Sequence, residues 1–194
     1  MRNNYFMNSF SPKLVIIGGF AGAGKTTISR KLSSDFGLPL FSSDSFGKSL
    51  LNLTENYIKE SHDIKSAIYP IAYDLLFEIM AYNLKSGLTL ILDANMCNLQ
   101  TWESIKRLEK DIPELQCLLV ILDIELEVAK ARIQKRRNSD PANHDLDSAG
   151  VDKIMAKYEF INQFDRPDLI RIDANRDAKI VYKDVTKLVK EFIK

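Results

Sequence analysis

A parallel α/β sheet covered by helices on both faces is the fold class this sequence predicts, from three observations. Short apolar runs alternate with helix-period patterns along the chain. One run, Leu88 to Asp93, is almost wholly apolar, as a strand buried on both faces must be. A glycine-rich stretch, Gly19 to Thr26, joins the first strand to the first helix. Such alternation implies right-handed crossovers and three layers, with about five strands.

The glycine-rich stretch comes first because its chemistry is the most specific. Gly19-Phe20-Ala21-Gly22-Ala23-Gly24-Lys25-Thr26 fits the phosphate-binding P-loop pattern G-x-x-x-x-G-K-S/T. Glycines let the main chain curl so that successive N–H groups point at phosphate oxygens. The following helix turns its positive dipole end toward the same anion. Context supports the motif. Leu14-Val15-Ile16-Ile17 enters as a β-branched strand, and Ile28, Leu32 and Phe36 recur on one helical face until Gly37 and Pro39 end it. The candidate nucleotide-binding set is therefore Gly19, Ala21, Gly22, Ala23, Gly24, Lys25, Thr26 and Thr27. Lys25 would reach the β- and γ-phosphates, and the Thr26 hydroxyl would hold Mg²⁺.

The remaining elements follow in order. Leu38 to Phe41 is a short second strand, and Asp44 stands just beyond its carboxyl end, where ligands bind in open α/β sheets. Asp44 is the candidate catalytic base, although capping a helix near Ser45 is a rival role. Phe46 to Lys65 has a weak pattern, read as one or two short helices and a loop. Ser66 to Lys85 is a long helix with Ile68, Ala72, Leu75, Leu76, Ile79 and Ala81 or Tyr82 inward, starting close to Pro70. Asp93 ends the third strand in the manner of a Walker B carboxylate and is, with Thr26, the candidate metal ligand. Which of Asp44 and Asp93 acts as the base is left open.

A helix from Asn98 or Thr101 carries Trp102, Ile105 and Leu108 inward. The strand Leu115 to Leu122 leads to Asp123, read as a helix cap. The next helix buries Leu126, Ala129 and Ile133 and crowds Arg132, Lys135, Arg136 and Arg137 into its later turns. A polar segment follows to Gly150, so residues 132–150 read as a lid that closes Arg132 and Arg136 over phosphates. A returning helix (Val151 to Ile161), a last strand (Asp168 to Asp173) and a final helix (Asp177 to Phe192) complete the chain. In that final helix Ile180, Val181, Val185, Leu188 and Phe192 face inward.

Bulk properties bound the function. The 194 residues make one domain: a leader over 1–12, then one body over 13–194 in which 46–69 shapes the acceptor pocket. Lys and Arg number 27 against 26 Asp and Glu, a balance that argues against bulk nucleic-acid binding. Two distant cysteines, Cys97 and Cys117, offer neither a disulfide framework nor zinc spacing, so a reducing cytoplasm is expected. No apolar run has the length of a membrane span.

With the Gly19–Thr26 loop, "LPLFSSD" ending at Asp44, "LILDAN" holding Asp93, "ARIQKRR" with Arg132 and Arg136, and "IDANRD", the chain resembles the P-loop kinases of the nucleoside monophosphate kinase-like branch. Within that branch it is similar to the group of zeta toxins, polynucleotide kinases and chloramphenicol phosphotransferase. The resemblance implies a P-loop NTPase fold, ATP and Mg²⁺ as cofactors, Asp44 as acceptor of the substrate hydroxyl proton, and Asn175 and Arg176 in a loop that wraps the adenine. Arginines that such kinases often carry after the two strand-end carboxylates are replaced here by Phe46-Gly47-Lys48 and Met96-Cys97-Asn98. A neutral or weakly charged small molecule is the implied acceptor. The expected activity is transfer of the γ-phosphoryl of ATP to a hydroxyl. The rivals are a slow nucleotide-dependent switch without acceptor and a zeta-toxin-like nucleotide-sugar kinase.

Overall fold

The computed structural model describes residues 11–57, 62–96, 99–139, 166 and 168–194, with side chains left aside at 55–57 and 62–67. Along the chain run β1 (Lys13–Gly19), α1 (Lys25–Phe36), β2 (Leu40–Ser42), α2 (Ser43–Tyr57), α3 (His62–Lys85), β3 (Thr89–Asp93), α4 (Leu99–Asp111), β4 (Gln116–Asp123), α5 (Leu126–Ser139), β5 (Leu169–Asp173) and α6 (Ala178–Phe192). The leader to residue 10, the lid beyond Ser139 and the returning helix expected at 151–161 lie outside the described residues.

The five strands form one sheet in the order β2-β3-β1-β4-β5, with every pairing parallel. This is the expected fold class, a three-layer α/β P-loop NTPase fold. β1 lies at the centre. Leu14, Val15, Ile16 and Ile17 are fully buried there, as are Leu90 to Leu92 of β3 and Leu119 to Leu122 of β4. Burial on both faces explains why these strands read as continuous apolar runs. The register sets Ile17 beside Asp93, and Asp93 beside Ser42, so the carboxyl ends of three strands meet at one edge.

Local chemistry fixes the helix ends. Gly37 caps α1 at φ +65°, its N–H bonding Ser33 O, and Leu38 N–H reaches the same carbonyl at 3.2 Å. At α6 the Asp177 side chain caps by accepting from Lys179 N–H at 2.8 Å. Trp102 is a core residue, fully buried, its indole N–H donating to Met96 O at 2.8 Å.

Several expectations are corrected. The weak region after Phe46 is taken up by most of α2, a fifteen-residue helix that opens earlier, at Ser43, and by the start of α3; the buried Gly47 leaves room for the Tyr69 ring of α3. α3 begins at His62, a turn before Ser66, so Pro70 sits inside the helix and not near its first turn. The buried face of α3 carries Tyr73, Phe77, Met80 and Leu84 beside Ile68, Ala72 and Leu76, while Leu75, Ile79 and Tyr82 are exposed. An α3 that is apolar almost all round gives periodicity no phase to read. In α6, Ile180 is exposed and Val181, Val185 and Val189 form the seam. Asp123 is paired with Arg171 of β5 through two bonds of 2.8 and 2.9 Å.

Candidate functional site

The loop between β1 and α1 is bent by its glycines. Gly19, Gly22 and Gly24 have φ of +143°, +83° and +94°, a region that side chains with a Cβ avoid. At Gly22 an added Cβ would also stand 3.0 Å from Ala129 O of α5, so loop and helix pack backbone to backbone. Gly24 is the N-cap of α1, yet no side chain caps that helix and its first turn holds no acidic residue. The leading N–H groups of α1 are thus left for an external anion, which the helix dipole favours. Lys25 folds back over the loop, its Nζ donating to Phe20 O at 3.1 Å.

Beside the loop, sequence positions far apart converge. Thr26 Oγ1 donates to Asp93 Oδ2 at 2.7 Å, and Ser42 Oγ approaches the same oxygen at 3.5 Å. Asp93 is 4% exposed. Burial pushes its carboxyl above the usual range, while the Thr26 hydrogen bond and the Lys25 ammonium pull it back and the Asp44 charge adds a further rise. Asp44 lies in the first turn of α2 and is exposed, open to a molecule arriving at the strand ends. Its charge also raises the nearby Tyr73 phenol, after the larger effect of burial.

Three hydroxyl residues that sequence reasoning did not connect with the site back these carboxylates. Ser43 opens α2, and its Oγ donates to Asp93 O at 3.4 Å. Thr101 of α4 donates to Asn95 O at 3.4 Å. Tyr73 of α3, 8% exposed, interacts with both hydroxyls. α2, α3 and α4 are tied in this way to the segment that carries Asp93. No local pattern announces Tyr73, because its partners are distant in the chain.

On the other side of the P-loop opens a cavity of about 720 Å³ between α1, α5 and α6. Gly22, Gly24, Thr27 and Ile28 form its P-loop wall, and Arg132 and Arg136 stand at the α5 side. These arginines are four residues apart and share a helix face. Arg132 Nη1 lies 3.5 Å from Gly22 O. The β5–α6 loop contributes Ala174 and Ala178, with Lys179, Val181 and Tyr182 following on α6. Asn175 and Arg176 stand in this same loop, with side chains bonded to its neighbours. Asn175 Oδ1 accepts from Glu125 N–H at 2.9 Å and its Nδ2 donates to Asp173 Oδ1 at 2.8 Å. Arg176 bonds Asp173 O at 3.0 Å and pairs with Asp184 at 3.0 Å. Their side chains brace the loop, and the small residues flanking them face the cavity.

The donors present suit a hard cation. Magnesium favours oxygen ligands and takes one or two carboxylates plus substrate phosphates in place of an all-protein cage. Asp93 Oδ2 and Thr26 Oγ1 are such a pair, and among the described residues no cluster of three or more His, Cys, Asp or Glu side chains competes with them.

A curled loop after the central strand, a lysine and threonine at its helix end, and a strand-end carboxylate against that threonine define the chain as a P-loop protein. It belongs to the AAA domain family, whose model matches residues 14–161. No curated protein matches it in sequence. Among solved structures it is similar to a candidate kinase from Chloroflexus aurantiacus j-10-fl, 22% identical, with 94% of this chain and 96% of that one covered and a TM-score of 0.70. A gluconokinase from Sinorhizobium meliloti 1021 is 13% identical over 94% of each chain, with a TM-score of 0.61. A deoxyadenosine kinase from M. mycoides is 17% identical over 92% of this chain and 99% of its own, with a TM-score of 0.56. At these identities the likeness is one of fold.

Proposed function

We propose that this protein is an ATP- and Mg²⁺-dependent phosphotransferase that moves the γ-phosphoryl group to a hydroxyl of a small-molecule acceptor. The single observation that carries the reading is the 2.7 Å contact between Thr26 and Asp93, with the exposed Asp44 carboxylate close enough to raise Asp93. Kinases among its fold neighbours support the same class.

In this reading Lys25, the loop amides, Arg132 and Arg136 bind and orient the phosphates, and the transfer itself is mostly positioning and charge neutralisation. Thr26 and Asp93 would hold magnesium, which would neutralise phosphate charge when bound. Asp93 is buried and committed to Thr26, so Asp44, exposed at the strand ends, takes the base role. It accepts the proton of the acceptor hydroxyl as that oxygen attacks the γ-phosphorus, and ADP leaves. Phe46-Gly47-Lys48 and Met96-Cys97-Asn98 stand where such kinases often carry an arginine, and those two losses favour a neutral or weakly charged acceptor bound by the segment 46–69. Residues 132–150 act as the lid, and the zeta toxin, polynucleotide kinase and chloramphenicol phosphotransferase group remains the branch this reading favours. The protein works in the cytoplasm, and within the described residues no helix is long and apolar enough to cross a membrane.

Incubation with Mg-ATP and pools of hydroxylated metabolites tests the reading through ADP release. Acceptor-dependent release in the wild type, lowered roughly a hundredfold or more by Asp44→Asn with ATP affinity retained, is expected for a general base. Release that no acceptor accelerates would instead indicate the slow nucleotide switch.

A further inference from the structure

The cavity has an outer wall that neither the P-loop nor the arginines explain. Lys31 of α1 and Tyr182 of α6 both line it. The Lys31 ammonium stands 3.9 Å from the centroid of the Tyr182 ring, a close cation–π contact. The Tyr182 hydroxyl donates to Asp35 Oδ2 at 2.5 Å. Lys31 and Asp35 are four apart on α1, so one helix grips a single tyrosine of another at both ring and hydroxyl. Burial and the Asp35 hydrogen bond both push the Tyr182 phenol up, which keeps it a donor at neutral pH.

The neighbouring wall is built from Ala174, Ala178 and Val181, small and apolar. Together these surfaces form a slot for a flat, largely apolar body, with the ring-held Lys31 ammonium at its rim and Lys179 also in the lining. An ammonium resting on a ring still has N–H donors for acceptor atoms beside it. Its long side chain is already partly ordered, so less rotamer freedom is lost on binding.

We propose that Lys31, Tyr182 and Asp35 form a preset clamp that seats the nucleoside end of the nucleotide, with Lys31 donating to an acceptor atom of the base or ribose. The proposal rests on the nucleotide-dependent reading above and adds the residues that recognise the part of the ligand beyond its phosphates. The plainer alternative is a staple that merely holds α6 on α1.

Calorimetric titration of the whole chain with two probes, Mg-ATP and Mg-tripolyphosphate, separates these. Tripolyphosphate carries the charge of ATP's tail and no nucleoside. For Lys31→Met and Tyr182→Ala the clamp predicts ATP affinity lower by roughly tenfold, as loss of a charge-assisted hydrogen bond implies, with tripolyphosphate affinity within about twofold of wild type. That retained binding also demonstrates a folded P-loop, and Lys31, exposed on α1, gives a second variant with little burden on folding. Wild-type ATP affinity in both variants overturns the clamp and leaves the nucleotide reading standing. Equal losses for both probes overturn it too, since Lys31 would then act on phosphate charge or the variant on the fold. If the wild type binds neither probe, the nucleotide reading falls and the clamp falls with it.

Discussion

Thr26 and Asp93, 67 positions apart in the chain, meet at 2.7 Å because β1 and β3 are adjacent parallel strands that end together. The hydroxyl donates to a carboxylate that is otherwise buried, and both residues keep oxygen lone pairs for a cation. One contact joins the start of the P-loop helix to the end of a buried strand.

Removing the hydroxyl gives the first prediction. Thr26→Ala deletes a magnesium ligand and leaves the buried Asp93 without its closest donor. The Mg²⁺ concentration for half-maximal ADP release should rise by about tenfold or more, in line with the loss of a metal-site partner. Thr26→Ser, which keeps the oxygen, should recover most of it. An alanine variant with the wild-type magnesium titration would remove Thr26 from the metal site.

Asp93 also carries a pH dependence with a definite sign. Its folded-state pKa is raised, chiefly by burial, so over the window from about 4 upward to that raised value the folded protein holds more proton at this site than the unfolded chain. Stability from this group is greatest at low pH and declines as pH rises through the window. Asp93→Asn should remove that decline, leaving the nucleotide-free variant at pH 7 at least as stable as wild type in thermal melts. The melting-temperature difference between the two should shrink toward pH 4. A gap that widens on acidification would reverse the assignment.

At the opposite end of the sheet Arg166 binds two carboxylates, Glu109 of α4 and Asp168 before β5, with bonds of 2.5 to 3.2 Å. Both carboxylates raise its pKa and keep it charged. Nearby, burial and the Glu109 charge push the Cys117 thiol up to about 12, so it is a poor nucleophile at neutral pH. Arg166→Met should lower stability in urea unfolding by about 2 kcal/mol, because two partly buried carboxylates lose their cation. Mg-ATP affinity should stay unchanged. A variant as stable as wild type would deny the cluster its bracing role.

These predictions divide according to what the residues themselves announce. The P-loop was legible because its chemistry is local: glycines, Lys25 and Thr26 lie in eight consecutive residues between a strand and a helix. The central strands were legible because burial on both faces forces apolar runs, and Asp93 stands out at the end of one. The face of α3 was not legible, since Leu75 and Ile79 look as apolar as Phe77 and Met80, and only packing decides which is covered. Tyr73 and the Lys31–Tyr182 contact depend on helices meeting across the fold, which spacing does not encode. Asn175 and Arg176 lie in the expected loop, and their bonds to Glu125, Asp173 and Asp184 are likewise contacts that spacing does not encode.

In the proposed function everything depends on the loop from Gly19 to Thr26 gripping the polyphosphate of a nucleotide with magnesium. Calorimetric titration of Mg-ATP into the wild-type chain and into Lys25→Ala measures this directly. Saturable one-site binding to the wild type is expected, weakened by roughly a hundredfold in the variant, as loss of a charged donor at the phosphates implies. Absence of binding to the wild type, or equal binding to both, would contradict that function.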